Sequence, residues 1–423
     1  MAISRRDFGR LAALGVPAAC LERSGFDFKF PPLPSTPPVA DERFWDAIRQ
    51  QFILEPGLSV MNAANLCPSS APVLESMYRN TRDVDTDPSM DNRIRMSEGK
   101  ETTRKLLAEF LRVTPDEIVI TRNTSESNNL VSSGIDLKPG DEVIVFSDNH
   151  PSNLQAWQEK AKRFGFTIRT VQQVNPHPGL EHYVQAFMRE MTSRTKVLAL
   201  THLTSTVGDM LPVKELCRIC AERGILSLVD GAQTLGVMDV DLGAIQPDFY
   251  SASAHKWPCG PKEVGLLYIN KRSHSRIRGT IFSAYPGAVG ISKTFEGFGQ
   301  RDEPAIIAFG EALKFQDQIG RKQIEARSRE LTQALIAGLR EIDGVKIWTH
   351  ADPARSLAVV SFLPGNLDPH KLGEALYKTD RIGTMIRGGS DRSGLRLSPH
   401  LYNSMGEVER VLDALRRYVK TGL

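Results

Sequence analysis

Two side chains in this sequence carry most of its chemistry, Asp230 and Lys256. The apolar run Leu226-Ser227-Leu228-Val229 ends in Asp230-Gly231-Ala232-Gln233, and the run Asp248-Phe249-Tyr250-Ser251-Ala252 ends in Ser253-Ala254-His255-Lys256-Trp257. Short apolar runs closed by turn letters read as buried strands, and ligands in open α/β sheets gather beyond the carboxyl ends of such strands. A carboxylate and an amine are therefore expected at neighbouring strand ends. A lysine amine condenses with an aldehyde to a Schiff base, while a buried carboxylate keeps a pyridine nitrogen protonated so that the ring accepts electrons from a carbanion. Pyridoxal phosphate chemistry needs that pair. Asp and Lys at strand ends are also common structural residues, so the surrounding letters must decide.

Other strand ends supply those letters. Ile118-Val119-Ile120-Thr121 leads into Asn123-Thr124-Ser125-Glu126-Ser127, which opens a helix. Backbone N–H groups at a helix start, joined by two hydroxyls, make a phosphate cradle, although Thr-Ser there is otherwise a plain cap. Val143–Phe146 leads into Asp148-Asn149-His150-Pro151-Ser152-Asn153, and Val197–Leu200 into Thr201-His202-Leu203-Thr204-Ser205-Thr206-Val207-Gly208. Leu395-Arg396-Leu397-Ser398-Pro399-His400 follows near the C-terminus. On these motifs the chain, from about residue 55 onward, resembles the fold-type I pyridoxal phosphate enzymes of the class V aminotransferase group. It is more similar to the isopenicillin N epimerase-like branch than to the cysteine desulfurases, which carry Asn where this chain has Ser205.

The resemblance implies a role for each residue. Lys256 holds pyridoxal 5′-phosphate and, once released, becomes the acid–base catalyst at the substrate Cα. Asp230 faces the pyridine nitrogen, and His150 stacks on the ring and takes part in catalysis. Gln233 reaches the ring hydroxyl oxygen, while Thr124, Ser125, Ser253 and His255 hold the phosphate. Gln300, in Gly299-Gln300-Arg301-Asp302, stands where the family often has Gly-Thr donating a phosphate contact from the neighbouring subunit. That implies a homodimer with its active site at the subunit interface. Arg396 clamps the α-carboxylate bidentately; apart from the resemblance, Arg387 is read as lining the substrate pocket and meeting a second acidic group, and Asn65 as a third substrate-side candidate. For His202 the letters leave open a buried structural histidine and a catalytic one.

The motifs do not select one reaction. Cysteine desulfurases carry a mobile-loop cysteine shortly before the Arg396 motif, whereas Arg381–Gly389 holds none here. Persulfide formation thus lacks its nucleophile, and neither Cys67 nor Cys259 occupies that position. Epimerisation, transamination and β-elimination of a thiolate share one quinonoid intermediate. The expectation is Cα chemistry of the epimerase or transaminase type, with C–S lyase and a non-catalytic cofactor-binding module as the alternatives.

These residues need a scaffold of α/β class, the type I fold, with a seven-stranded, mostly parallel sheet in a large domain and a smaller α+β domain after it. The reading places the large domain at 46–300, its N-terminal segment packing on the small domain, and the small domain at 301–423. One helix is expected from about Pro304 to Arg340. Residues 1–24 read as a twin-arginine export signal, from Ser4-Arg5-Arg6-Asp7-Phe8 and the short apolar Leu11–Ala19 after it, and residues 25–45 as a proline-rich linker. The expected location is the periplasm, with the cytoplasm as the alternative. Hydrophobic residues at 41%, charged residues at 24% and a net charge of +3 give no sign of nucleic acid as a partner. No apolar run reaches the roughly 18 residues of a membrane span. Cys217 and Cys220 lie on one face of an amphipathic helix, where packing explains them better than redox or metal chemistry.

Overall fold

Strand residues alternate between two faces of a sheet, and here both faces are apolar, which demands a layer of helices on each side. The computed structural model describes residues 30–37, 39–388 and 392–423; the paired arginines Arg5 and Arg6, with the rest of the expected signal, lie outside them. Leu33–Leu423 forms one compact unit. Its main sheet has seven strands: β1 (Ile118–Thr121), β2 (Glu142–Phe146), β3 (Thr167–Val171), β4 (Thr195–Thr201), β5 (Leu226–Asp230), β6 (Phe249–Ser253) and β7 (Gly265–Ile269). Their order is β1-β7-β6-β5-β4-β2-β3, and only β7 runs antiparallel to its neighbours. Ile144, Phe146, Leu198 and Leu200 enter one core with Leu107, Phe110, Phe187 and Phe309. Val143, Val145, Val197 and Ala199 enter the opposite one with Leu130, Val131 and Trp157.

A second, four-stranded antiparallel sheet is built from β8 (Val345–Ile347), β9 (Val360–Pro364), β10 (Met385–Arg387) and β11 (Gly394–Leu397), in the order β10-β11-β9-β8. The helices Arg321–Arg340, Pro369–Lys378 and Met405–Thr421 cover it through Leu335, Leu372, Val408 and Leu412. A third core joins the layers: Phe44, Trp45 and Ile48 of the helix Glu42–Arg49 meet Trp257, Phe315, Ile324, Leu357 and Tyr402.

The single helix expected from Pro304 to Arg340 is two helices, Glu303–Ile319 and Arg321–Arg340. Gly320 between them has φ +95°, a conformation that glycine adopts without penalty and that no continuous α-helix contains. The first of the two packs on Ala71–Thr86 and Met90–Leu111 against the main sheet, and the second packs on the small sheet. Cys217 and Cys220 are buried in the core beneath Val213–Glu222, as packing residues, and no cluster among the described residues could hold a metal ion. No helix among them is long and apolar enough to cross a membrane.

Candidate active site

The register of the central strands brings the site together. Thr201 of β4 lies opposite Asp230 of β5, and Asp230 opposite Ser251 of β6, so three polar residues form a row at the sheet's carboxyl edge. Gly231 lets the chain turn directly after Asp230: a Cβ there would stand 2.0 Å from the ring of Tyr250. The Asp230 carboxylate is buried and held in place. Asn128 donates to Oδ2 at 3.0 Å, Asn153 to the same oxygen at 3.5 Å, and the Ala232 N–H to Oδ1 at 3.1 Å. Ser251 in turn donates to Asn128 Oδ1 at 2.7 Å. Neither asparagine was among the expected site residues. Helical spacing carried the signal for Asn128, since it lies four residues after Thr124 and shares its face.

Lys256 follows β6 by three residues and stands within electrostatic range of Asp230 and Arg396. Burial pulls its amine down to about 8, a shift that Asp230 opposes and Arg396 reinforces. Among the described residues no carboxylate is paired with it. An amine with that proton affinity is unprotonated in a useful fraction near neutral pH, as a nucleophile or a base must be. His150 caps the helix Pro151–Phe164, with Nδ1 at 2.8 Å from Ser152 Oγ and 3.3 Å from Ser152 N, and its ring is exposed. Desolvation, and then the charge on Lys256, hold this imidazole below its usual value. His202 is buried, its Nδ1 has no partner, and burial lowers it to about 4.

Ser253, at the end of β6, and Thr124, at the start of the helix Thr124–Gly134, meet: their hydroxyls are 2.6 Å apart, and the Thr124 N–H donates to Ser253 Oγ at 2.8 Å. Asn123 caps that helix by accepting from Glu126 N at 3.0 Å. His255 Nδ1 is buried without a partner, and burial with the charge of Lys256 brings its imidazole to about 4. A hydroxyl pair at a helix N-terminus and an orphaned imidazole nitrogen suit a phosphate. Gln233 is committed at both ends of its amide, donating to Ala64 O at 2.9 Å and accepting from Trp257 Nε1 at 2.8 Å, which leaves one N–H for a ring hydroxyl. These residues fit pyridoxal phosphate.

Three expected residues are exposed in the single chain. Ser125 is exposed in a surface groove with Arg122, Asn129, Thr280 and Ile281. Gln300 is also on the surface, where its Oε1 accepts from Arg93 at 3.0 Å. Asn65 is exposed too, and it is Asn62 whose side chain accepts from Arg396 Nη2 at 3.2 Å. Arg396, on β11, is buried, donates from Nη1 to Ser205 O at 2.7 Å, and leaves Nε without a partner. Burial, aided by the nearby charge of Arg387, lowers it to about 10. Arg387, on β10, is half-buried. Asp148 was not expected as a site residue. Arg392 holds both of its oxygens at 3.1 Å, and Thr206 donates a further hydrogen bond to it.

The comparisons agree with this geometry. Residues 69–411 match the family model Aminotransferase class-V. Isopenicillin N epimerase of Amycolatopsis lactamdurans is 30% identical over 397 residues, 89% of this chain and 99% of that protein. A probable cysteine desulfurase of Pyrococcus abyssi is 31% identical over 342 residues, covering 76% and 83%. Among solved structures, the apo cysteine desulfurase of Thermococcus onnurineus superposes with a TM-score of 0.82 at 25% identity, covering 89% of this chain and 98% of that one. The cystine C-S lyase C-DES in complex with cysteine persulfide gives 0.77 at 23% identity, covering 85% and 98%, a likeness of fold. A lysine and a carboxylate at adjoining strand ends, in a chain matched along most of its length, make this protein a pyridoxal-phosphate-dependent enzyme of the class V aminotransferase family.

Proposed function

We propose that this enzyme moves a proton at the Cα of an amino acid, in an epimerisation or a transamination. The observation that carries the reading is the Lys256 amine, lowered to about 8, with no carboxylate paired to it among the described residues and within range of the buried guanidinium of Arg396. The bound cofactor supplies an electron sink for charge developing at Cα. Arg396 would fix the α-carboxylate and so orient Cα toward Lys256. Lys256 takes and returns the proton, and the Asp230 carboxylate, held by Asn128 and Asn153, would hold the cofactor's pyridine nitrogen. The absence of cysteine from 381–395 and the match along 99% of an epimerase support Cα chemistry over sulfur transfer. C–S cleavage by β-elimination is the second reading, favoured by the desulfurase relatives.

The test is incubation of the holoenzyme with L- and D-amino acids, with and without a keto acid, in D2O. Exchange of the Cα proton, with inversion or amino transfer, is expected and should vanish in Lys256→Ala. Pyruvate and sulfide from cysteine or cystine, without exchange in other amino acids, would move the assignment to the lyase.

Two further features belong to this proposal. A homodimer is supported by the exposed apolar side chains Ile281, Phe282 and Tyr285 beside the groove that holds Ser125. Export in the folded, cofactor-loaded state rests on Arg5 and Arg6, because such signals are read by a receptor. Replacing both with Lys should retain active enzyme in the cytoplasm; unchanged fractionation would refute the export route.

A further inference from the structure

Arg387 and Arg396 share a face of the small sheet. On the antiparallel strands β10 and β11, Met385 lies opposite Arg396 and Arg387 opposite Gly394. Alternate residues share a face, so the two arginines are diagonal neighbours whose long side chains reach a common space. Both bear on the imidazole of His150, which places that space at the mouth of the site. Among the described residues, the carboxylate that acts on Arg387 is Asp148, and its oxygens are occupied by Arg392, at 3.1 Å each, and by Thr206. Among the described residues no Asp or Glu forms an ion pair with Arg387 or Arg396, and Arg396 Nε is buried without a partner. The α-carboxylate of an amino acid answers one of these two guanidiniums and leaves the other over.

We propose that the substrate is an α-amino acid with a second anionic group on its side chain, with Arg396 taking the α-carboxylate and Arg387 the distal group. This rests on the Cα reading above. A side-chain carboxylate and a side-chain phosphate or sulfonate share the chemistry that a guanidinium recognises, and the test separates them.

The experiment compares kcat/KM for glutamate, 2-aminoadipate, phosphoserine and cysteate with that for the neutral norvaline and glutamine, in wild type, Arg387→Gln and Arg387→Lys holoenzyme. At least one acidic series should be preferred by roughly 10- to 100-fold, the range of a charged hydrogen bond. Which series leads identifies the distal group. The ratio should fall toward one in Arg387→Gln and be partly kept in Arg387→Lys. Binding of glutarate against butyrate, measured calorimetrically, should show the same Arg387-dependent preference without turnover. A wild-type ratio near one, or a ratio that Arg387→Gln leaves unmoved, overturns the proposal. Arg387-dependent glutarate binding in a protein that exchanges no Cα proton would refute the Cα reading and leave this one standing. Turnover of neutral and acidic substrates alike would do the reverse.

Discussion

Arg104 and Arg396 are both buried, at 0% and 4% exposure, and their surroundings differ in kind. Arg104 has Glu296 at 2.6 and 2.8 Å, Glu101 at 2.8 Å and Ile118 O at 2.7 Å. Burial alone would weaken its charge, but Glu296 and Glu101 reverse this and raise its proton affinity above the usual value. Glu296 also accepts from Ile120 N at 2.7 Å, so the cluster fastens β1 to the helix Met90–Leu111. Arg396 has only a carbonyl and an amide oxygen, and its affinity falls to about 10. The chain neutralises the arginine that holds the fold and, among the described residues, gives no carboxylate to the one proposed to meet a substrate. A buried cation without a counter-ion is costly, and that cost fits a site awaiting an anion.

Exchanging one arginine at a time should separate the two roles. Arg104→Gln leaves Glu296 and Glu101 facing each other and should cost about 3–5 kcal/mol of stability in denaturant unfolding, with kcat per folded molecule close to wild type. Arg396→Gln should lower kcat/KM by about 10²–10³ and shift stability by no more than about 1 kcal/mol, since a desolvated charge disappears with its hydrogen bonds. If Arg396→Gln unfolds the protein as readily as Arg104→Gln, the contrast is wrong. The smallest effect is on pH. In the cofactor-free chain, condensation of Lys256 with an aldehyde should quicken as pH rises to about 8 and level off above it, because the unprotonated amine reacts. Arg396→Gln removes a charge that lowers this amine, so its plateau should begin at higher pH, whereas Arg104→Gln should leave the plateau in place.

Much of this was legible in the sequence because strands buried on both faces announce themselves. The apolar runs Ile118–Thr121, Val143–Phe146, Val197–Leu200, Leu226–Val229 and Asp248–Ala252 each lie within two residues of a strand of the main sheet, and Asp230, Ser253 and Lys256 follow at the ends where ligands gather. The short strands Met385–Arg387 and Gly394–Leu397 were not legible as strands: three or four residues carry no period, and their pairing is set by distant β9. The same limit hid Asn62 and Asp148, whose meaning depends on which arginine arrives beside them. Asn65 was the residue expected from the sequence, whereas the loop turns Asn62 toward Arg396 and Asn65 outward. The break at Gly320 shows the opposite case, in which one glycine within a helical pattern was informative and was read through.

Lys256 is carried by the main sheet and Arg396 by the small one, so the spacing between the amine and the proposed α-carboxylate clamp is not set inside the pocket. It is set where Phe44, Trp45, Trp257, Phe315 and Tyr402 interlock. A methylene gained or lost in that wedge reaches the pocket as a change of spacing between the arginine and the amine. The alignment of a substrate's Cα against the amine can therefore drift, over evolution or in the laboratory, through residues of that wedge.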